Sequence, residues 1–220
     1  MRRYVVLLCA LVLVGSLGTA HAVSYTGGLS TLDGGLVANG LWGEGAFLGW
    51  EIWQNNDLSW HYWYVLEVGE SDISHVIFQV SDTFTGDDIV GGSIKLNDEP
   101  GFYDEIGTQK TGQGNVGMPS GIWGIKFSGT STSMTYAFDS WRVPVWQDFY
   151  AKGGRTGGDW NYLYNAGFTD PNPLVGAHDG TEGYHILAPD TRTTQTPEPS
   201  VCALALAGLG GIWARKRRRR

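Results

Sequence analysis

Apolar and polar residues alternate with period two through most of this chain, the pattern of strands with one buried face. Trp60-His-Tyr-Trp-Tyr-Val-Leu-Glu-Val68 places Trp60, Tyr62, Tyr64, Leu66 and Val68 on one side and His61, Trp63 and Glu67 on the other. Ile73 to Val80 is β-branched and nearly continuous, and Trp123 to Phe127 and Met134 to Phe138 alternate cleanly. Weaker strands read at Leu41 to Trp53, Ile89 to Leu96, Trp146 to Tyr150 and Trp160 to Tyr164. Clusters of Gly, Ser, Thr and Asp separate them, and no window carries a capped apolar stripe at helical spacing. About eight to ten short strands with glycine-rich turns predict an all-β fold, an antiparallel two-sheet sandwich, jelly-roll-like or immunoglobulin-like, with a barrel as the alternative.

Both ends of the chain break this pattern. Arg2 and Arg3 precede an apolar stretch from Tyr4 to Val14, and Ala20-His-Ala22 places small residues where signal peptidase cuts, so residues 1–22 read as a signal peptide. The strand-forming body is expected over 23–189, followed by a threonine-rich linker over 190–196 that contains no apolar residue. Beyond it, Pro197-Glu198-Pro199 cannot sit inside a helix or central strand and marks an extended, accessible site. The apolar run 201–214 is about 14 residues long against the roughly 20 of a comfortable span, and six basic residues, 215–220, close the sequence.

A proline-glutamate-proline motif, a short apolar segment and a basic terminus, in that order, resemble the PEP-CTERM sorting signal of Gram-negative bacteria. The resemblance covers about 25 of the 220 residues. It implies transient insertion of 201–214 in the inner membrane and processing near Pro197, Glu198 and Pro199 by an exosortase. It also implies delivery of the mature form to the cell surface or exopolysaccharide matrix. An ordinary tail anchor would have a longer span without Gly208, Gly210 and Gly211, and a GlyGly-CTERM tail would place its glycine pair before the apolar run. Cys202 would be a membrane-proximal thiol open to lipidation.

Setting the two ends aside changes the chemistry of the remainder. Both cysteines, Cys9 and Cys202, fall outside the body, so packing alone must hold it. Seven basic residues face twenty-one acidic ones between Val23 and Thr196, a formal net charge of about −14. Such a body gains nothing from nucleic acid or anionic lipid, which leaves cations and neutral sugars.

Three groups of residues carry candidate chemistry. Nine tryptophans, nine tyrosines and eight phenylalanines lie between Val23 and Thr196, and flat aromatic faces suit the apolar faces of sugars. Trp50, Trp53, Trp60 and Trp63 are the richest set, but strand alternation sends them to different faces, so some must be core. Trp160 and Tyr162, near glycine-rich loops, join Trp60 and Trp63 as candidate ligand contacts. The second group is acidic: Asp82, Asp87 and Asp88 stand in one loop whose oxygens could hold a structural calcium, although the spacing matches neither an EF-hand nor a calcium β-roll, and such residues also cap turns. The third is catalytic. No Gly-x-Ser-x-Gly elbow occurs, no cysteine nucleophile remains, and carboxylates such as Glu51, Glu67, Asp104 and Glu105 match no glycanase strand signature. His178, Asp179 and His185 bracket a glycine-rich turn and could hold a metal, though loop histidines are more often simply hydrogen-bonded. The expectation is a secreted, non-catalytic surface or matrix protein, with a glycan-binding module as the alternative and a glycoside hydrolase behind both.

Overall fold

The computed structural model describes residues 23–112, 114–173 and 182–190. The signal peptide, the linker from 191, the Pro197-Glu198-Pro199 motif, the apolar and basic tail segments and His178-Asp179 lie outside these residues.

Fourteen strands occur among the described residues: β1 Ser24–Ser30, β2 Leu36–Asn39, β3 Phe47–Gln54, β4 Trp60–Glu67, β5 Ile73–Gln79, β6 Lys95–Leu96, β7 Glu99–Pro100, β8 Glu105–Gln109, β9 Ile122–Ser128, β10 Ser133–Ser140, β11 Pro144–Gln147, β12 Phe149–Thr156, β13 Asp159–Asn165 and β14 Ile186–Pro189. They form two open six-stranded sheets, β1-β3-β4-β10-β6-β7 (sheet A) and β2-β13-β12-β5-β9-β8 (sheet B), and a β11-β14 ribbon. Every paired register is antiparallel, and residues of both sheets join in one core, so the fold is the expected all-β sandwich.

Alternation builds that core in rows across sheet A. Leu48 lies opposite Leu66 and Met134, Trp50 opposite Tyr64 and Tyr136, and Ile52 opposite Tyr62 and Phe138. All nine are buried, and Tyr64 stacks on Phe78 of sheet B with centroids 4.1 Å apart. The ribbon is drawn into this core: β14 is buried at all four positions, Tyr64 donates its hydroxyl to Leu187 O at 2.8 Å, and Tyr62 donates to Arg142 O at 2.7 Å. Burial holds both phenols in the protonated, donating form by pushing their pKa values well above the ordinary one.

The sequence reading and the structure part at several elements. Leu41 to Trp53 is not one strand: a 3-10 turn at Gly40–Trp42 buries the Trp42 indole, whose N–H donates to Ser71 O at 2.9 Å, and β3 follows. Ile89 to Leu96 keeps only an isolated bridge, Ile89 to Ser140, and the two-residue β6. Trp146 to Tyr150 is broken at Asp148 between β11 and β12. The strands β1, β2, β7, β8 and β14 are additions.

Candidate functional site

The outward half of sheet A gathers aromatic and acidic side chains from strands far apart in the sequence. Register places Glu51 of β3 opposite Trp63 of β4, and Trp63 opposite Ala137 of β10. One row over, Trp53 lies opposite His61, and His61 opposite Asp139. The two indoles therefore occupy one diagonal of a four-residue patch, roughly 7–8 Å apart at their Cα atoms by strand geometry, with His61 and Glu51 on the other. Both are half-buried; Glu51 beside them is exposed, His61 and Asp139 are half-exposed, and Ala137 is buried.

Local contacts stiffen this face. The His61 ring stacks on Trp53 with centroids 4.1 Å apart and planes 27° from parallel. Its Nδ1 lies 2.5 Å from Asp139 Oδ1. The donor there is Nδ1–H, because a carboxylate oxygen accepts. Further along, Phe47 lies flat across Gly28 of β1 and Gly49 of β3, and a Cβ at either glycine would stand 2.8 Å from its ring. Two glycines in adjacent strands thus let one phenylalanine lie down on the sheet, 37 % exposed, instead of standing out from it. The result is a fairly level surface bearing Phe47, Trp63 and Trp53, with Glu51 and Asp139 beside the rings. Rings offer apolar stacking to sugar C–H faces, and carboxylates accept hydroxyl protons.

The residues singled out from sequence are divided by the fold. Trp63 belongs to this face. Trp60 is core, 6 % exposed and stacked on Tyr25 at 5.8 Å. Trp160 stands on the outer face of sheet B, its ring engaged by Lys152 Nζ at 4.2 Å and the Arg155 guanidinium at 5.3 Å. Burial of its stem, with Lys126 nearby, pulls the Lys152 pKa down. Tyr162 stacks on Tyr164, and Gly117 approaches its ring so closely that no Cβ would fit.

Asp82, Asp87 and Asp88 do not point to a common centre. Asp82 and Asp87 are exposed. Asp88 is 1 % exposed and pairs with Arg142 at 2.8 Å, while the Thr85 N–H donates to its carboxylate at 2.9 Å to close a capping box over the 3-10 turn Gly86–Asp88. The turn-capping alternative accounts for Asp88, and no group of three or more His, Cys, Asp or Glu side chains that could hold a metal occurs among the described residues. His185 is buried with Asp148, which lies 3.0 Å from its Nδ1 and also accepts from Asn165 Nδ2 at 2.7 Å. Glu44 and Glu70 line an open cleft of about 460 Å³ with Gly40, Leu41 and Gly69, both of them exposed on turns.

Sequence reasoning missed Trp53, Phe47 and Asp139 as partners of Trp63. Parity along each strand was a usable signal for Trp53 with Glu51. The register that brings Asp139 to His61, 78 residues away, was not. No family model, curated protein or solved structure matches this chain.

Proposed function

We propose that this chain is an exported, non-catalytic surface or matrix protein whose outer sheet A face binds polysaccharide. The observation that carries the reading is the diagonal pair Trp53 and Trp63, half-exposed on one face and flanked by Glu51 and the His61–Asp139 pair. A neutral or weakly basic glycan fits a body with a formal charge of about −14. The PEP-CTERM-like tail supplies the route: signal peptidase at Ala20 and Ala22, temporary anchoring through 201–214, and exosortase release at Pro197, Glu198 and Pro199.

A panel of neutral, amino and acidic polysaccharides titrated against the protein tests the binding. Trp63→Ala and Trp53→Ala should each abolish a saturable fluorescence change and leave the thermal midpoint within a few degrees, while Trp160→Ala binds normally. Undiminished binding in Trp63→Ala would sink the assignment to this face. The sorting route is tested in cells: alanine at all three of Pro197, Glu198 and Pro199 should leave the full-length form in the membrane, and unchanged release would remove the exosortase reading.

A further inference from the structure

Both termini of the described domain emerge at one end of sheet A. Ser24 at the start of β1 lies opposite Trp53, and Gln54 donates its N–H to Val23 O at 3.0 Å. The same end holds the Gln54–Trp60 turn and the end of β10, where Ser140 lies opposite Trp60. The outgoing chain returns there too, because Pro189 pairs with Pro144 and Asp190 donates its N–H to Val143 O at 3.0 Å.

This end carries apolar side chains directed outward: Leu58 is 63 % exposed, Trp141 49 % and Val23 43 %. Two of them are fixed in place by the turns that carry them. Leu58 has φ +72°, a left-handed conformation that a leucine adopts only under constraint. Trp141 projects between two buried residues, Ser140 and Arg142, and its N–H donates to Asp88 O at 3.0 Å. Arg142 is locked by Asp88 at 2.8 Å and donates to Thr83 O at 2.8 Å, so a buried ion pair pins the turn that presents the indole. The hairpin itself holds Leu58: Asn55 N–H donates to Ser59 O at 2.8 Å and Leu58 N–H to Asn55 O at 3.0 Å.

Chain length says what lies opposite. Residues 191–200 separate Asp190 from the apolar run 201–214, and ten extended residues reach at most about 36 Å. Leu32, 86 % exposed, follows the other end of β1, opposite Phe47, on the far side of sheet A. The tether to 201–214 therefore leaves the domain at the end that carries Leu58 and Trp141, and at the opposite end from Leu32.

We infer that, in the anchored precursor, this end of the sandwich rests on the bilayer, with Trp141 and the chain terminus at Val23 at the headgroup boundary and Leu58 in the outer acyl layer. The inference rests on reading 201–214 as a membrane segment. Three side chains bind lipid weakly by themselves, and the short tether supplies the effective concentration that makes the contact persistent. Exposed Asp57 and Asp87 stand at the same end, so the contact favours zwitterionic over anionic lipid. After release from the tail the contact lapses and the domain leaves the surface.

The test uses residues 23–220, the form left by signal peptidase, reconstituted in phosphatidylcholine vesicles, with Cys202 replaced by Ser and one cysteine introduced as Leu58→Cys or Leu32→Cys for an environment-sensitive dye. The dye at 58 should shift to the blue and be quenched by nitroxide lipids, the dye at 32 should do neither, and Trp141→Ser should cut the quenching at 58 several-fold. Replacing half the lipid with phosphatidylglycerol at low salt should also reduce it. Vesicle-bound protein with an unquenched dye at 58 would overturn the docking alone. Protein that fails to float with the vesicles would overturn the membrane reading of 201–214 and the docking with it. A blue shift that rises with protein density and is insensitive to lipid quenchers would assign this end to a second copy of the chain and overturn the proposal.

Discussion

The outer faces of the two sheets start from the same alternating pattern and end differently. On sheet A the outward Trp53, Trp63 and Phe47 stay partly in water. On sheet B the outward Ile77, Ile122 and Tyr150 are buried under Met118 and Phe168, a second small core outside the sandwich. Residues 114–121, between β8 and β9, fold back over sheet B and, with Phe168 from the turn after β13, make the difference. This segment is latched by polar contacts: the Tyr150 hydroxyl donates to Val116 O at 2.7 Å, His75 Nε2 meets Asn115 Oδ1 at 2.9 Å, and Asn115 Nδ2 donates to Lys110 O at 2.9 Å. Because the Asn115 amide nitrogen is already committed, its oxygen faces the imidazole and Nε2 carries the proton. Alternation thus separates two faces of a strand, and which of them meets water is decided by what lies on top.

The sharpest way to break this comparison is to truncate matched positions on the two faces. Met118→Ala should cost about 2–5 kcal/mol by urea unfolding, as for a buried side chain, whereas Phe47→Ala on the open face should cost under about 1 kcal/mol. Equal losses would mean that the segment over sheet B contributes no real core.

Acid should act on the covered face through one buried histidine. Burial above all, then the charge of Lys126, pulls the His75 pKa from 6.5 down to about 4; the Asn115 hydrogen bond opposes this, Lys152 adds to it and Asp104 opposes it least. Above pH 6.5 the imidazole is neutral in both states and stability is undiminished. As pH falls from 6.5 towards 4 the unfolded chain takes up a proton that the folded one refuses, so stability falls by roughly 3 kcal/mol over that window. Unfolding midpoints measured between pH 7 and pH 4 should show this decline, and His75→Gln should remove much of it. An unaltered pH profile in His75→Gln would assign the decline to other groups.

Backbone substitutions sharpen the same contrast on a smaller scale. Gly117 has φ +78° and lies against the Tyr162 ring, so Gly117→Ala should cost about 2 kcal/mol and loosen the covering segment. Gly157 has φ +63° with nothing near its missing Cβ, so Gly157→Ala should cost only about 1 kcal/mol. Hydrogen exchange at the Ile77 and Tyr150 amides should rise in the first variant and stay unchanged in the second. The smallest effect is expected at Trp63→Ala, within about 1 kcal/mol in stability, even though glycan binding should be lost. A large loss of stability there would make Trp63 a packing residue.

Strands with strong alternation were legible: β4, β5, β9 and β10 lie where their patterns predict them. Others were hidden for physical reasons. The β1 segment Ser24–Ser30 is an edge strand of small and polar residues with only Tyr25 and Leu29 as apolar contacts, so its strand character comes from pairing with β3. The β14 segment is four residues long and becomes a strand by burial beside β11. At the candidate site, strand parity put Trp60 and Trp63 on opposite faces but left both as ligand candidates; the structure buried Trp60, and the neighbours of Trp63 follow from register. Asp88 illustrates the converse: its loop spacing suggested a ligand, and a distant arginine, Arg142, took its carboxylate.

The residues by themselves determined the all-β class, the inward half of each strong strand and the acidity of the body, because alternation, β-branching and charge are local properties that any fold of this chain must accommodate. The tertiary structure decided which outward aromatics remain at the surface, which aspartate is bound in an ion pair and which end of the domain meets the outgoing chain. These depend on pairings 50 to 120 residues apart, such as Asp88 with Arg142 and Asn39 with Trp160. Such pairings are set by register and packing across the whole sandwich, and no short window of sequence contains them.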